Sequence, residues 1–220
     1  MKSLCALLSF GVAAAVAAQD PVLVAPADYR VEIDNQWVRV LRATEGPHAR
    51  VPMHAHPARV VVYLTDVHQR VTGEDGKVQD VVRKAGDVVY ADAVRHAEEN
   101  ASDRRLEVVV VELKPGAPKS PPIALDPVKL DPKYHTVPFE NDRVRVLRTV
   151  LEPHVRSPLH EHPHYVVVYL TELHTTMTLA DGRTVDNPRR PGEVAWRDAL
   201  KHETVNIGDH TAVEIQIELK

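Results

Sequence analysis

A single cysteine among 220 residues, Cys5, has no partner within its own chain, so a disulfide scaffold is excluded. Basic residues are not in surplus: 27 Lys and Arg stand against 31 Asp and Glu, a formal net charge of -4, and no cationic surface is available for counterion release on nucleic acid. Beyond the N-terminus there is no apolar run of the 18 or so residues that a membrane-crossing helix needs. These absences leave a folded protein, 44% hydrophobic, with a small molecule as the expected ligand or substrate and nucleic acid and membrane excluded as partners. The excess lies in histidine, with 13 residues, roughly twice an average share.

Residues 1–18, MKSLCALLSFGVAAAVAA, carry Lys2, an apolar stretch from Leu4 to Val16 and small residues at Val16 and Ala18. This pattern predicts a secretory signal peptide cleaved after Ala18, and hence a periplasmic or secreted protein. Cys5 precedes the apolar stretch and is lost with it, so the mature chain has no cysteine.

The remainder is one unit written twice. Residues 35–114 align without a gap on 141–220 at a constant offset of 106, with 35 of 80 positions identical. The implied domains are 19–114 and 128–220, joined by the proline-rich linker 115–127, PGAPKSPPIALDP. Within each copy, short segments rich in β-branched residues (WVRVLR, ARVVVYLT, HQRVT, KVQDVV, GDVVYAD and LEVVVVEL in the first) are separated by turn signals such as Glu74 to Lys77 and Lys84 to Asp87. Regular short strands predict an all-β barrel or jelly roll per copy.

The histidines follow the repeat. His48, His54, His56, His68 and His96 recur as His154, His160, His162, His174 and His202. In MHAHP and LHEHP two histidines one residue apart face the same side of a strand, and a third, His96 or His202, follows a glycine and a strand. Three imidazoles so arranged cap one side of a metal ion.

The pattern resembles the cupin superfamily, whose first motif is H-x-H followed by Glu and whose second runs from Gly to H-x-x-x-N. Here the second is carried by Gly86, His96 and Asn100, and by Gly192, His202 and Asn206. The resemblance covers both copies and implies a bicupin: two tandem cupin jelly-roll (RmlC-like) β-barrels with metal sites at His54, His56 and His96, and at His160, His162 and His202. It departs from the family where the glutamate ligand is expected, since Val60 and Val166 stand there and neighbouring Val61 and Val167 cannot replace it. A three-histidine set is known in dioxygenase-like members of the family. Those that act on cysteine are disfavoured, because the mature chain has no Cys for their side-chain cross-link.

Three neutral ligands leave a divalent ion its full charge, which favours an anionic substrate and leaves positions open for water or dioxygen. The expectation is a metal-dependent oxygenase holding Fe²⁺, with Mn²⁺, Ni²⁺ or Zn²⁺ as alternatives. A non-catalytic binder of a sugar, small acid or metal, and a Zn or Mn isomerase or lyase, are the competing readings, and cupin barrels often associate, so a homo-oligomer is also envisaged. Among the remaining residues, Glu98 is a candidate acid or base with a rim carboxylate as the alternative. Arg42 and Arg148, sharing parity with Val38 and Val144, are candidate anchors for a substrate carboxylate inside the barrel, with an exposed strand-end position as the competing reading. His48 and His154 suit turns, His68 and His174 ordinary strand positions, and His164 an accessory or solvated place. Tyr63 and Tyr169 are expected between sheets, and Tyr90 and Trp196 in core or cavity walls.

Overall fold

A computed structural model describes residues 19–120 and 122–220. The expected signal peptide, Cys5 included, lies outside the described residues. The first barrel has a five-stranded sheet in the order β1 (Tyr29–Asp34), β2 (Val38–Glu45), β9 (Leu106–Leu113), β4 (Arg59–Tyr63) and β7 (Val88–Ala91). Facing it is a four-stranded sheet, β3 (Arg50–His56), β8 (Val94–Asn100), β5 (Val67–Gly73) and β6 (Val78–Arg83). The second barrel repeats this with β10 (His135–Glu140), β11 (Val144–Leu151), β18 (Ala212–Leu219), β13 (Tyr165–Tyr169) and β16 (Val194–Arg197) against β12 (Arg156–His162), β17 (Leu200–Asn206), β14 (Leu173–Leu179) and β15 (Thr184–Arg189). The strand pairs are antiparallel. A one-turn helix precedes each barrel, Pro21–Val24 and Pro127–Leu130, with Asp20 or Asp126 accepting a backbone N–H at its start.

The apolar runs VVVY and LEVVVVEL do not alternate because the five-stranded sheets are buried on both faces. On β4, Val61 and Tyr63 face the interior of the first barrel, whereas Val60 and Val62 join Val38, Val40, Val109 and Val111 on its outer face. That outer face packs directly on its counterpart, Val144, Val146, Val166, Val168, Ile215 and Ile217, in one core shared by both barrels. Burying a valine or isoleucine is worth about 1.5–3 kcal/mol, so this shared layer holds the halves together. Tyr90 stacks on Phe139 at its margin, ring centroids 5.1 Å apart, and Trp196 packs against the same layer. Tyr63 and Tyr169 lie between the two sheets of their own barrels, as expected.

Arg42 and Arg148 point the other way from the sequence expectation. They do share parity with Val38 and Val144, but that parity leads to the inter-barrel layer, not into a barrel. Arg42 is buried, donates to Glu32 Oε1 at 2.5 Å and Glu107 Oε1 at 2.7 Å, and crosses to the Gly192 carbonyl at 2.5 Å. Arg148 reciprocates with the Gly86 carbonyl at 2.9 Å. Both glycines have positive φ, +88° and +81°, which a side chain disfavours, so each barrel offers the other a glycine turn as acceptor. The arginines are therefore staples between barrels.

Candidate metal centre

Two β-bulges set the histidine geometry. Between Val51 and His54 on β3, and between Ser157 and His160 on β12, the register slips. His54 then lies directly opposite His96, and His160 opposite His202, while His56 and His162 follow on the same face. All six rings are buried. In the first barrel the centroids are 4.9, 4.6 and 5.6 Å apart, and in the second 4.9, 4.5 and 5.4 Å. Within each set, one ring nitrogen per histidine lies within 4.8 Å of the others.

Surrounding acceptors fix which nitrogen faces inward. The carbonyls of Pro52 and Pro158 only accept, so Nδ1 of His54 (2.8 Å) and His160 (2.6 Å) carries the proton. His56 Nδ1 donates to Glu112 Oε1 and His162 Nδ1 to Glu218 Oε1, both at 2.7 Å. In the second barrel Thr204 Oγ1 lies 3.1 Å from His202 Nδ1. What remains is Nε2, and in His54, His96, His162 and His202 that atom is buried with no partner. A buried lone pair left unmet costs about 1–3 kcal/mol, and here such atoms converge, which is the arrangement that carboxylate- and carbonyl-oriented histidines present to a divalent ion. Burial also favours the neutral imidazole, pushing His96 and His160 down to about 4, His202 to about 3 and the His56 and His162 pKa values well below the usual one. The residues fit a metal.

No protein-family model matches the chain, and no curated protein does. Solved structures do. The chain is similar to AerE from Microcystis aeruginosa, at 12% identity and a TM-score of 0.66 over 88% of this chain and 93% of that one. It is similar to a cupin 2 conserved barrel domain protein from Leptotrichia buccalis, at 10% identity and TM-score 0.54 over 87% and 88%. It is also similar to an oxalate decarboxylase from Lactobacillus farciminis, at 11% identity and TM-score 0.58 over 87% and 84%. The fold is that of a bicupin.

The two barrels have different interiors. The first contains a cavity of about 420 Å³ that reaches His56, His96, Glu98, Tyr29, Arg59 and Gln69. The second retains only about 30 Å³ beside His202. Offset-related positions account for the difference: Ala91, Val108 and Val110 of the first barrel correspond to Arg197, Glu214 and Gln216 of the second. Arg197 fills the second interior, donating to Tyr169 Oη at 3.3 Å and Asn187 Oδ1 at 3.2 Å.

Glu98 is no rim residue. It is 7% exposed, its Oε1 accepts from Tyr29 Oη at 2.5 Å and lies 3.8 Å from His54 Nε2, and its Oε2 accepts from Gln69 at 3.2 Å. Gln69 also donates to Glu45 at 2.7 Å. Burial, reinforced by Glu98, pushes the Glu45 carboxyl up to about 9. The second barrel has His135, Leu151, Thr175 and Thr204 in place of Tyr29, Glu45, Gln69 and Glu98 and lacks this network.

Val60 and Val166 belong to the shared layer, while Val61 and Val167 face the barrel interiors. Asn100 and Asn206 are clamps: each amide reaches three backbone carbonyls, Glu45 at 3.3 Å, Gly46 at 2.9 Å and Arg104 at 2.7 Å in the first barrel, Leu151 at 3.0 Å, Glu152 at 3.2 Å and His210 at 2.8 Å in the second. His48 and His154 occupy turns with positive φ, +57° and +62°. His68 and His174 sit outside the barrels against Asp80 and Asp186, and His164 stacks on Trp196, away from the histidine sets. Sequence reasoning passed over Glu112, Glu218, Arg59, Tyr29, Gln69 and Glu45. The two glutamates recur at the same offset in VVEL and IELK, which is the signal that marks them.

Proposed function

We propose that the protein is an exported metal-dependent oxygenase whose chemistry takes place in the first barrel, at His54, His56 and His96, with Fe²⁺ as the ion. The observation that carries this reading is the buried three-histidine set, with the Nε2 atoms of His54 and His96 unpartnered, beside a cavity of about 420 Å³ that His56 and His96 line. An Fe²⁺ held there by His54, His56 and His96 would supply open coordination positions and Lewis acidity. The protein's own part is to hold His54 and His56 in one tautomer through Pro52 and Glu112, to line the cavity with Val61, Val71 and Val81, and to fix Glu98 through Tyr29 and Gln69 beside His54, where it takes a proton from a substrate hydroxyl. The second set, His160, His162 and His202, suits a closed structural ion, because only about 30 Å³ remains beside it.

Solved bicupins include a Bacillus subtilis oxalate decarboxylase described with Mn(II) centres, so manganese is the ion to compare. The test combines metal analysis of the mature protein with oxygen uptake after iron or manganese loading, using diketones and aromatic diols as substrates. Two ions per chain, uptake that needs iron, and loss of uptake in His96→Ala but not in His202→Ala support the reading. Absence of a stoichiometric ion after reloading, or uptake that survives His96→Ala, overturns it. Export is tested by N-terminal sequencing of the mature chain, which should begin at Gln19.

A further inference from the structure

Arg59 is the guanidinium that lines the first cavity. It opens β4, is 8% exposed, and its Nη1 donates to the Asp92 carbonyl at 3.0 Å. Among the described residues no carboxylate lies within 4.0 Å of it, whereas the strand arginines Arg39, Arg42 and Arg145 each have one. The second barrel has Tyr165 at the equivalent place, and its own interior arginine, Arg197, is engaged by Tyr169 and Asn187. A buried cation is costly unless it is paired, and Arg59 lines the cavity that His56 and His96 also line.

We infer that the first barrel takes a small organic monocarboxylate whose carboxylate pairs with Arg59 and whose opposite end faces the three histidines, an assignment that rests on the first barrel being the reaction chamber. Three features of the cavity define the ligand class. The guanidinium fork matches a carboxylate in two parallel hydrogen bonds. Val61, Val71, Val81, Val108 and Val110 line the space between, so the body of the ligand is apolar. The volume, about 420 Å³, equals about fourteen waters' share of liquid and accommodates roughly a dozen non-hydrogen atoms in an aromatic or short branched acid. Glu98, on the same cavity, opposes a second negative charge and so excludes phosphates and dianions.

The experiment is a calorimetric titration of zinc-loaded protein with hexanoate, benzoate and phenylacetate, each against its neutral primary amide, and with inorganic phosphate. At least one acid is expected to bind about 30-fold or more tightly than its amide, the loss that follows from removing one partner of a buried charge pair. Arg59→Met should reduce the acid to the affinity of the amide with zinc content unchanged, and Arg59→Lys should retain part of the preference. Arg59→Tyr, the side chain already accommodated at Tyr165, serves if the methionine variant does not fold. No acid-over-amide preference in the unmodified protein, phosphate binding as tight as that of the best acid, or preference surviving loss of the guanidinium would each overturn the assignment. Zinc content is read on the same samples: acid binding without zinc defeats the metal reading and leaves Arg59 standing, whereas full zinc content without acid preference defeats Arg59 alone.

Discussion

Replacing Glu112 by glutamine changes two properties in opposite directions. Glu112 Oε1 accepts from His56 Nδ1 at 2.7 Å, and Arg39 lies 3.6 Å from its other oxygen. The ionised carboxylate makes His56 a stronger donor toward an ion, and loss of such a partner costs 10–100-fold in metal affinity, about 1.4–2.8 kcal/mol. Glutamine keeps the shape and loses the charge, so Glu112→Gln should fall in that range. Without metal, burial pushes the Glu112 carboxyl up to about 7 from its ordinary 4.5. An acid whose folded pKa is raised contributes full stability below its unfolded value and loses it as pH climbs from 4.5 through 7, so at pH 8 the metal-free wild type carries the whole cost of a buried carboxylate. The metal-free glutamine variant does not, and should melt higher at pH 8 while binding zinc more weakly. Competition against a chromophoric chelator measures the first quantity and thermal melting of metal-stripped protein at pH 5 and pH 8 the second, with the exposed Glu172→Gln as control. Zinc affinity within twofold of wild type, or a lower melting temperature at pH 8 than wild type, would refute the reasoning.

Three further outcomes are expected. Glu45→Leu, the residue found at the equivalent Leu151, should reduce the decline in stability between pH 5 and pH 9, leaving the part that Glu112 contributes, because the Glu45 carboxyl is raised to about 9; melting curves of metal-free protein across that range check it. Gly192→Ala places a side chain at φ +81° and should cost about 1–2 kcal/mol, a fall of roughly 2–8 °C in Tm. Val146→Asp buries an unpaired charge in the shared layer and should destabilise by about 3–5 kcal/mol; calorimetry should show both barrels melting in one lowered transition, and a barrel that melts at its wild-type temperature would contradict the shared core.

The histidine spacing made both candidate centres legible, because strand alternation puts residues 54 and 56 on one face and the repeat doubles the signal. The same alternation misled at Arg42. Parity separates the two faces of a strand but does not say which face meets the barrel interior, and a sheet buried on both sides gives no polar face to decide it. Arg59 and Glu112 were passed over because each stands at an end of an apolar run, where a charge reads as a solvent-facing stop. The first edge strand, Tyr29–Asp34, lacks a strong apolar pattern, with five of its six residues partly or fully open to solvent, and its contribution to the site, Tyr29, comes from the tertiary fold. The unequal cavities follow from pairs such as Ala91 and Arg197, or Val108 and Glu214, whose inward direction is visible only when the sheets close.

The shared valine layer has a consequence for what the molecule is free to change. In an assembly of two identical chains every substitution appears twice, so a residue that closed one chamber would close both. Here the partner is carried on the same polypeptide, and association does not depend on protein concentration. Arg197 could therefore enter one half while Ala91 stayed in the other, and the half that gave up its chamber kept its place as a wall against which the open one is built.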